Sequence, residues 1–269
     1  MDVASERIHD LVRVEHLADD AVARLVMEEG ESPMNVFQPS KVEAMATAVE
    51  VLAGDVDCLV LYGEPVFSAG ADLRSVKQMP QEMRSAKIDT IAAASNRFIR
   101  SVREFPAPVI SAVTGVAAGG GLGFALASDL ISMHEDAVFD TAYSRIGLTP
   151  DNATPFFLVR TVGPHRAREL LFDPDPISAV DAVDLGLANE RYEGSESAFL
   201  ESVTEDAIRY ANGPTETYAQ TKRLLDTAFD GALDQHLEQE RSTIKRMSDS
   251  DLFDEGLAAF FEKRQPDWG

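Results

Sequence analysis

Three consecutive glycines, Gly119 to Gly121, stand in the segment AAGGGLGFALASD (residues 117–129), which carries no charge before Asp129. Each glycine costs backbone entropy on folding, so a run of three indicates that something must approach the backbone closely. A strand-like segment precedes the glycines and an apolar helix is predicted after them. Because the first N–H groups of a helix lack internal partners and favour negative charge, the segment predicts an anion or oxyanion site.

A second loop has the same organisation. The segment EPVFSAGADLRSV (64–76) follows an apolar strand-like run, contains small residues at 68–71 and then opens a predicted helix. Two such junctions can supply two backbone donors to one oxygen atom. The alternative is purely structural: a close crossing of helix and strand that leaves no room for side chains. The triple glycine fits neither a P-loop, which requires Lys and Ser or Thr after its last glycine, nor the glycine spacing of a dinucleotide fingerprint.

The elements that must position these loops alternate between strand and helix, which predicts an α/β core. The predicted strands span 57–64, 106–117 and 137–141. Between the first two, six apolar residues recur at helical spacing: Met83, Ile88, Ile91, Ala94, Phe98 and Val102. From about residue 198 onward only helices are predicted, and a soft boundary near residue 203 divides a core (1–203) from a C-terminal helical region (204–269).

Composition restricts the class of protein. The chain has 269 residues, 46 of them acidic and 24 Lys or Arg, for a net charge of −22. Such a surface repels nucleic acid and anionic membranes, and its even distribution is typical of the acidic shell of salt-adapted proteins. No stretch resembles a membrane span or a signal peptide, Cys58 lies in an apolar run and is predicted to be buried, and the five histidines lack metal-ligand spacing. We therefore expect a soluble, cytoplasmic protein without a metal site.

Three segments, VFSAGADL, PVISAVTGVAAGGGLGFALASD and RIGLTPDNATPFFLVRTVG, resemble in this order the crotonase family, also called the enoyl-CoA hydratase/isomerase family. SPMNVF (32–37) and FFEKRQPDW (260–268) resemble its early and late segments. The resemblance implies an α/β spiral of ββα units followed by helices that mediate trimer formation, and hence a homotrimer or a dimer of trimers. It also implies an acyl-CoA thioester as substrate, with coenzyme A as part of that substrate and no separate cofactor.

The same resemblance assigns candidate site residues. The backbone N–H groups of Ala71 and Gly120 correspond to the family's oxyanion hole, which holds the thioester oxygen. Other positions correspond to substrate contacts: the backbone of Ala69, Asp72 and Leu73 at the adenine end, and Arg74 and the pair Lys263–Arg264 at the phosphates, the pair from a neighbouring subunit. Gly119, Tyr143 and Phe156 are further substrate-binding candidates. For the basic residues, a solvated position on an acidic surface is an equal alternative.

The resemblance also bears on the reaction. Hydratases of the family carry two glutamates, at positions that hold Gly123 and Tyr143 here. Adding water needs a positioned acid and base, so their loss argues against hydration. Asp151 stands where isomerases of the family carry a catalytic carboxylate, which predicts a proton shift that moves a double bond from the 3- to the 2-position. Its expected surroundings, Leu148, Phe156 and Phe157, are apolar. The structural alternative is a turn in which Asp151 caps the next helix.

Three other activities stay open at this level. Asp151 also matches the nucleophile of the 4-chlorobenzoyl-CoA dehalogenase branch, although Asn96 and Tyr143 replace that branch's helper histidine and tryptophan. Thioesterase-like chemistry with Asp151 as nucleophile belongs to the same alternative. Hydration is a second alternative, and binding of acyl-CoA without turnover is a third. The acyl group itself is not predicted, because the pocket shape depends on the helix near residues 79–103.

Overall fold

The computed structural model describes residues 4–30 and 34–268, so Ser32 and Pro33 of the early family-like segment lie outside the described residues. The strands are β1 (Ala4–His9), β2 (Val12–Leu17), β3 (Val22–Glu28), β4 (Cys58–Glu64), β5 (Val109–Val113), β6 (Val116–Ala118), β7 (Leu130–His134), β8 (Val138–Asp140), β9 (Ile177–Ser178) and β10 (Glu190–Tyr192). The helices are α1 (Pro39–Leu52), α2 (Leu73–Gln78), α3 (Gln81–Glu104), α4 (Gly120–Leu126), α5 (Thr154–Phe172), α6 (Ala179–Asp184), α7 (Glu196–Ala211), α8 (Thr215–Thr227), α9 (Leu233–Met247) and α10 (Asp251–Glu262). This alternation confirms the predicted α/β class.

Two sheets organise the core. The larger has seven strands in the order β1-β2-β3-β4-β5-β7-β10, and the smaller has three in the order β6-β8-β9. From β3 to β10 the neighbours in the larger sheet are parallel, whereas β1, β2 and β3 form an antiparallel meander. Because parallel strands end at the same edge of a sheet, the loops that follow β4 and β5 leave the core on one side.

The predicted strands are largely present, with one correction. The strand expected over 106–117 is two strands, because Gly115 has φ +57° and redirects the chain from β5 in the larger sheet to β6 in the smaller one. Six strands are not predicted at all: β1, β2, β3, β7, β9 and β10. Charged residues interrupt the first two, and several of the others have only two to five residues, which leaves little periodicity to detect.

The absence of charge from the helix after the glycines has a direct explanation. All seven residues of α4 are buried. Phe124 in this helix stacks on Phe37 and meets Phe98 edge-on, with ring centroids 4.7 Å apart in both pairs. An ionised side chain at these positions would lose its hydration without gaining a partner, which is costly. The apolar composition of α4 is therefore a requirement of its central position.

The C-terminal helices differ in how far they are buried. Phe199, Val203 and Ala207 on α7 pack against the larger sheet, in a cluster that includes Cys58, which is buried as predicted. Residue 203, the expected boundary, lies within this helix, and the division into two regions stays a prediction. Lys222 on α8 is 8% exposed and ties that helix to the core.

The last two helices present apolar side chains to solvent. Helix α9 has no buried residue among those described, and α10 has one, Ala259. The large exposed side chains on this pair are Leu233, Leu237, Ile244, Phe253, Leu257, Phe260 and Phe261. The expected trimer stays a prediction. No helix within residues 4–30 and 34–268 combines the length and apolar character needed to cross a membrane.

Candidate active site

The two glycine-containing loops lie side by side and are joined through Ser68. The Ser68 N–H donates to the Val116 carbonyl at 2.9 Å, and the Ala118 N–H donates to the Ser68 carbonyl at 2.8 Å. A Cβ on Gly121 would lie 2.3 Å from that same Ser68 carbonyl oxygen, and a Cβ on Gly70 would lie 3.1 Å from Gly120 N. The glycines therefore allow backbone to pack on backbone, so the structural explanation of the triple glycine holds alongside any binding role.

The two predicted donors are available. Within the described part of the chain, neither the Ala71 N–H nor the Gly120 N–H makes a hydrogen bond. Gly120 is the first residue of α4, and Gly119 before it has φ +51°. Neighbouring N–H groups are engaged: that of Gly70 donates to Ser68 Oγ at 3.1 Å, and that of Gly119 donates to the Asp140 carbonyl at 2.9 Å. Two unpartnered donors from separate loops thus remain.

Both donors line one cavity of about 390 Å³. Seven of the predicted site residues line it together: Ala69, Ala71, Leu73, Gly119, Gly120, Tyr143 and Asp151. The rest of the lining comes mainly from α3 and from the segment 142–152. The cavity thus brings together two backbone donors, one carboxylate and an apolar wall.

Asp151 is half-buried, and its side chain is held by Tyr143. The Tyr143 hydroxyl donates to Asp151 Oδ1 at 2.7 Å. Burial, together with the charge and hydrogen bond of Asp151, raises the pKa of Tyr143 far above its ordinary value, so the hydroxyl keeps its proton and acts as a donor. The capping alternative is wrong, because no side chain caps α5. Asp151 contacts the first turn of α5 through its backbone carbonyl, which accepts from Thr154 N at 3.0 Å, and not through its carboxylate.

The segment around Asp151 packs directly on α4. Asn152 is 4% exposed, has φ +51° and lines the cavity. A Cβ on Gly123 would lie 2.3 Å from the Asn152 carbonyl oxygen and 2.7 Å from its Cβ, and a Cβ on Gly120 would lie 2.1 Å from Asn152 Nδ2. Two of the three glycines of α4, Gly120 and Gly123, therefore face Asn152, and no side chain can be added at position 123 unless this segment moves.

Four predicted residues do not reach the cavity. The Asp72 carboxylate caps α2, accepting from Arg74 N at 3.1 Å, and both residues line a separate cavity of about 680 Å³. The backbone contact of Asp72 at the adenine end and the phosphate contact of Arg74 stay predictions. Phe156 is 48% exposed and lies against the Arg160 guanidinium at 3.4 Å, so the apolar surroundings expected for Asp151 are replaced on this side by solvent. Lys263 is exposed at the end of α10.

Two further positions need comment. Arg264, the expected partner of Lys263 at the phosphates, is bound to Glu255 and Glu262. Asn96, which occupies the helper position of the dehalogenase branch, is exposed and does not line the cavity. The phosphate contact expected of Lys263 and Arg264, from a neighbouring subunit, stays a prediction, and Asn96 brings no side chain to the cavity.

The structure adds residues that the sequence analysis misses. Ser85, Ile88, Asp89 and Ala92 line the cavity from one face of α3, and their spacing of three to four residues is the signal that could have identified that face. The Asp89 carboxylate makes no hydrogen bond or ion pair with the described residues. Further lining residues that were missed include Thr149 and Asn152, from the segment around Asp151. Within the described residues no group of His, Cys, Asp or Glu side chains is arranged to hold a metal ion.

Comparison with known proteins gives a consistent result. A family model described as enoyl-CoA hydratase/isomerase matches residues 18–269. The chain is 32% identical to 4-chlorobenzoyl coenzyme A dehalogenase-1 of Arthrobacter sp., covering 77% of this chain and 75% of that protein. It is 29% identical to 1,2-epoxyphenylacetyl-CoA isomerase of Escherichia coli K12, covering 87% and 89%. Its structure resembles that of an enoyl-CoA hydratase from Polaromonas sp. JS666, with a TM-score of 0.83, 30% identity and coverage of 94% and 98%.

Proposed function

Because the chain belongs to the enoyl-CoA hydratase/isomerase family, the crotonases, we propose that it is an isomerase that moves the double bond of an enoyl-CoA thioester from the 3- to the 2-position. Membership of this family and the crotonase fold are both as the sequence predicts, and they make the protein an acyl-CoA enzyme. Relatives with hydratase, isomerase and dehalogenase names occur at similar identity, so the choice among these reactions depends on the site itself.

The observation that carries the proposal is the contact between Gly123 and Asn152. Hydration requires an acid and a base on either side of a water molecule. One of the two glutamate positions of the family's hydratases is Gly123, where an added Cβ would lie 2.3 Å from a backbone oxygen. The other is Tyr143, which donates a hydrogen bond and keeps its proton. Both of those glutamates are therefore missing, and position 123 has no room for one. A proton shift needs a single carboxylate, which Asp151 supplies.

In the proposed reaction the Asp151 carboxylate removes a proton from C2 of a 3-enoyl-CoA. The electron pair of that C–H bond becomes part of a dienolate, whose negative charge lies largely on the thioester oxygen between Ala71 N–H and Gly120 N–H. The protonated Asp151 then returns the proton to C4, and the double bond ends between C2 and C3. Removal of one such donor costs about 10²- to 10³-fold in kcat, because it binds charge that develops during the reaction.

Tyr143 is proposed to hold the carboxylate in place, since it bonds to Oδ1 and leaves Oδ2 to take the proton. We expect Tyr143→Phe to lower kcat by about 10- to 100-fold, as a hydrogen bond to a charged group contributes about 1.5–3 kcal/mol. Steady-state rates on 3-enoyl-CoA measure this effect. Tyr62→Phe is the matched control, because Tyr62 is also buried and donates to a carboxylate, that of Glu196, outside the cavity. Equal rates in wild type and Tyr143→Phe would contradict the role.

The proposed activity is tested with two substrates. Incubation with a 3-enoyl-CoA should form the conjugated 2-enoyl-CoA, which is followed by ultraviolet absorbance, while a 2-enoyl-CoA offered alone should not gain water. Consumption of the 2-enoyl-CoA with formation of a 3-hydroxyacyl-CoA would show a hydratase. If neither substrate changes although both bind, the proposal is wrong and the protein binds acyl-CoA without turnover.

One observation favours hydration as a second candidate. Asp89 is an unpaired carboxylate that lines the same cavity as Asp151, so two carboxylates are present even though the family's two glutamates are not. If the protein is a hydratase that uses this pair, Asp89→Asn and Asp151→Asn should each lower the rate of water addition by about 10²-fold or more. The rate is measured on 2-enoyl-CoA, and a loss confined to Asp151→Asn would exclude the pair.

A further inference from the structure

A buried lysine is linked by hydrogen bonds to the first glycine-containing loop. Lys41 on α1 is 1% exposed and does not line the active-site cavity. We propose that Lys41 is a positioning residue of the oxyanion hole: through Asn35 it fixes the loop 66–71, from which Ala71 donates to the thioester oxygen. The inference rests on the proposed function only in taking the Ala71 N–H as that donor.

The link from the lysine to the loop runs through one asparagine. Lys41 Nζ donates to the Glu28 carbonyl at 2.7 Å and to Asn35 Oδ1. The Asn35 amide nitrogen, itself buried, donates to the loop carbonyls of Val66 at 2.9 Å and Phe67 at 2.8 Å, and it also lies 3.0 Å from the Met27 carbonyl on β3. The carboxamide oxygen is thus bound by the lysine, and the nitrogen is thereby directed at the loop.

From the asparagine the contacts continue to the residue before Ala71. Ser68 Oγ donates to the Asn35 carbonyl at 2.8 Å and accepts from Gly70 N at 3.1 Å. The Gly70 carbonyl accepts from Phe37 N at 3.0 Å, and the Asp72 N–H donates to the Phe37 carbonyl at 3.1 Å. Ala71 is therefore held on both sides by the segment 34–37, and its own N–H is left without a partner within the described residues.

The Asn35 carboxamide is closely packed around its nitrogen. A Cβ on Gly63 would lie 2.6 Å from Asn35 Nδ2, so the space beside the carboxamide is filled. Without the lysine, Asn35 Oδ1 would be a buried acceptor with no partner, which is unfavourable unless the side chain turns. Turning it would remove the donors from the Val66 and Phe67 carbonyls and weaken the hold on the loop.

Burial disfavours the charged form of Lys41. The ammonium bonds to neutral oxygens, and burial lowers its pKa from 10.5 to about 8, against the opposing effect of Glu28. The Glu28 carboxylate is bound by Arg7 and Arg13 rather than by the lysine. The other charged or titratable residues that line the adjoining cavity with Lys41 are His9, Asp10, Asp72 and Arg74.

The test compares two buried lysines. Lys41→Met removes the ammonium at similar volume. Lys222→Met is the control, because Lys222 is also buried but bonds to Asp129 at 2.8 Å and to the Val102 carbonyl at 3.0 Å, away from the loop 66–71. Two quantities are measured: kcat on 3-enoyl-CoA, and the enolate absorbance of a bound 3-ketoacyl-CoA. The second reports oxyanion stabilisation without turnover, so it still tests the inference if the wild type proves not to be an isomerase.

We expect Lys41→Met to lower kcat by about 10- to 100-fold, because small displacements of a positioned group have effects of this size. The enolate absorbance should fall as well, whereas Lys222→Met should lower the melting temperature and leave both readouts unchanged. Ser68→Ala breaks the same chain of contacts without removing a charge and decides the question if Lys41→Met does not fold. Wild-type enolate absorbance in folded Lys41→Met, or in Ser68→Ala where Lys41→Met does not fold, would overturn the proposal.

The pH dependence gives a readout that a purely structural lysine would not show. The folded pKa of about 8 lies below the ordinary 10.5, so between these values the unfolded chain binds the extra proton and stability rises with pH. Over the same window loss of the charge weakens the hold on Asn35, so kcat should fall several-fold. The difference between wild type and Lys41→Met, taken for the free energy of unfolding and for kcat at each pH, isolates both effects. Parallel changes in stability and kcat would contradict the positioning role.

Discussion

Asp151→Asn is expected to lower kcat for isomerisation of a 3-enoyl-CoA by about 10²- to 10⁴-fold, the contribution of a positioned acid–base group. The amide has nearly the same shape and its oxygen can still accept the Tyr143 hydroxyl, so the cavity should keep its form. What it lacks is an oxygen able to take and return a proton. Binding of a saturated acyl-CoA, measured by calorimetry, should therefore be unchanged.

The matched control for this substitution is Asp206→Asn. The Asp206 carboxylate also accepts a tyrosine hydroxyl, that of Tyr192 at 2.5 Å, but it lies on α7 and does not line the cavity. Its loss should leave kcat at the wild-type value. Undiminished turnover in Asp151→Asn would refute the assignment. A covalent ester on Asp151, detected by mass spectrometry in the wild type, would instead indicate nucleophilic attack.

Gly121→Ala should have the second largest effect, although it adds one methyl group outside the predicted chemistry. The new Cβ would lie 2.3 Å from the Ser68 carbonyl oxygen, a backbone atom, so the two loops must move apart. Gly121 is helical, and alanine is otherwise favoured in a helix, so the loss is steric and not conformational. Because Ala71 and Gly120 lie on different loops, we expect kcat to fall by about 10²-fold or more.

A second glycine separates this effect from simple destabilisation. Gly54 has φ +93° and nothing within 4 Å of an added Cβ, so Gly54→Ala is strained but causes no collision. It should reduce the free energy of unfolding by about 1–2 kcal/mol and leave kcat unchanged. Chemical denaturation and steady-state kinetics on both variants make the comparison. If Gly121→Ala retains wild-type kcat, the spacing of the loops does not control the reaction.

The sequence predicts those parts of the site that are local along the chain. Each glycine loop is a continuous segment between a strand and a helix, which predicts backbone donors from both loops, and the family resemblance then assigns these donors to Ala71 and Gly120. Asp151 follows Pro150 in a turn and is found in the same way. All three line the cavity together.

The sequence does not predict contacts that depend on how distant elements are rotated. The apolar residues of α3 identify its core face, with Ile91 and Phe98 buried, and say nothing of Asp89 on the adjacent face. Lysine is usually found at the surface, so the sequence does not predict that Lys41 is buried. Its burial results from the packing of α1 against β3. Phe156 was expected beside Asp151 because of its position in the chain, but the axis of α5 turns it to solvent.

The contact between Gly123 and Asn152 also restricts how this chain could change its chemistry over evolutionary time. A single codon change that restores glutamate at position 123 would force apart two tightly packed backbones before any new reaction was gained. The neighbouring turn would have to be rebuilt first, and that rebuilding would disturb Asp151. A glutamate at position 123 therefore requires at least one further substitution, in the turn that contains Asn152.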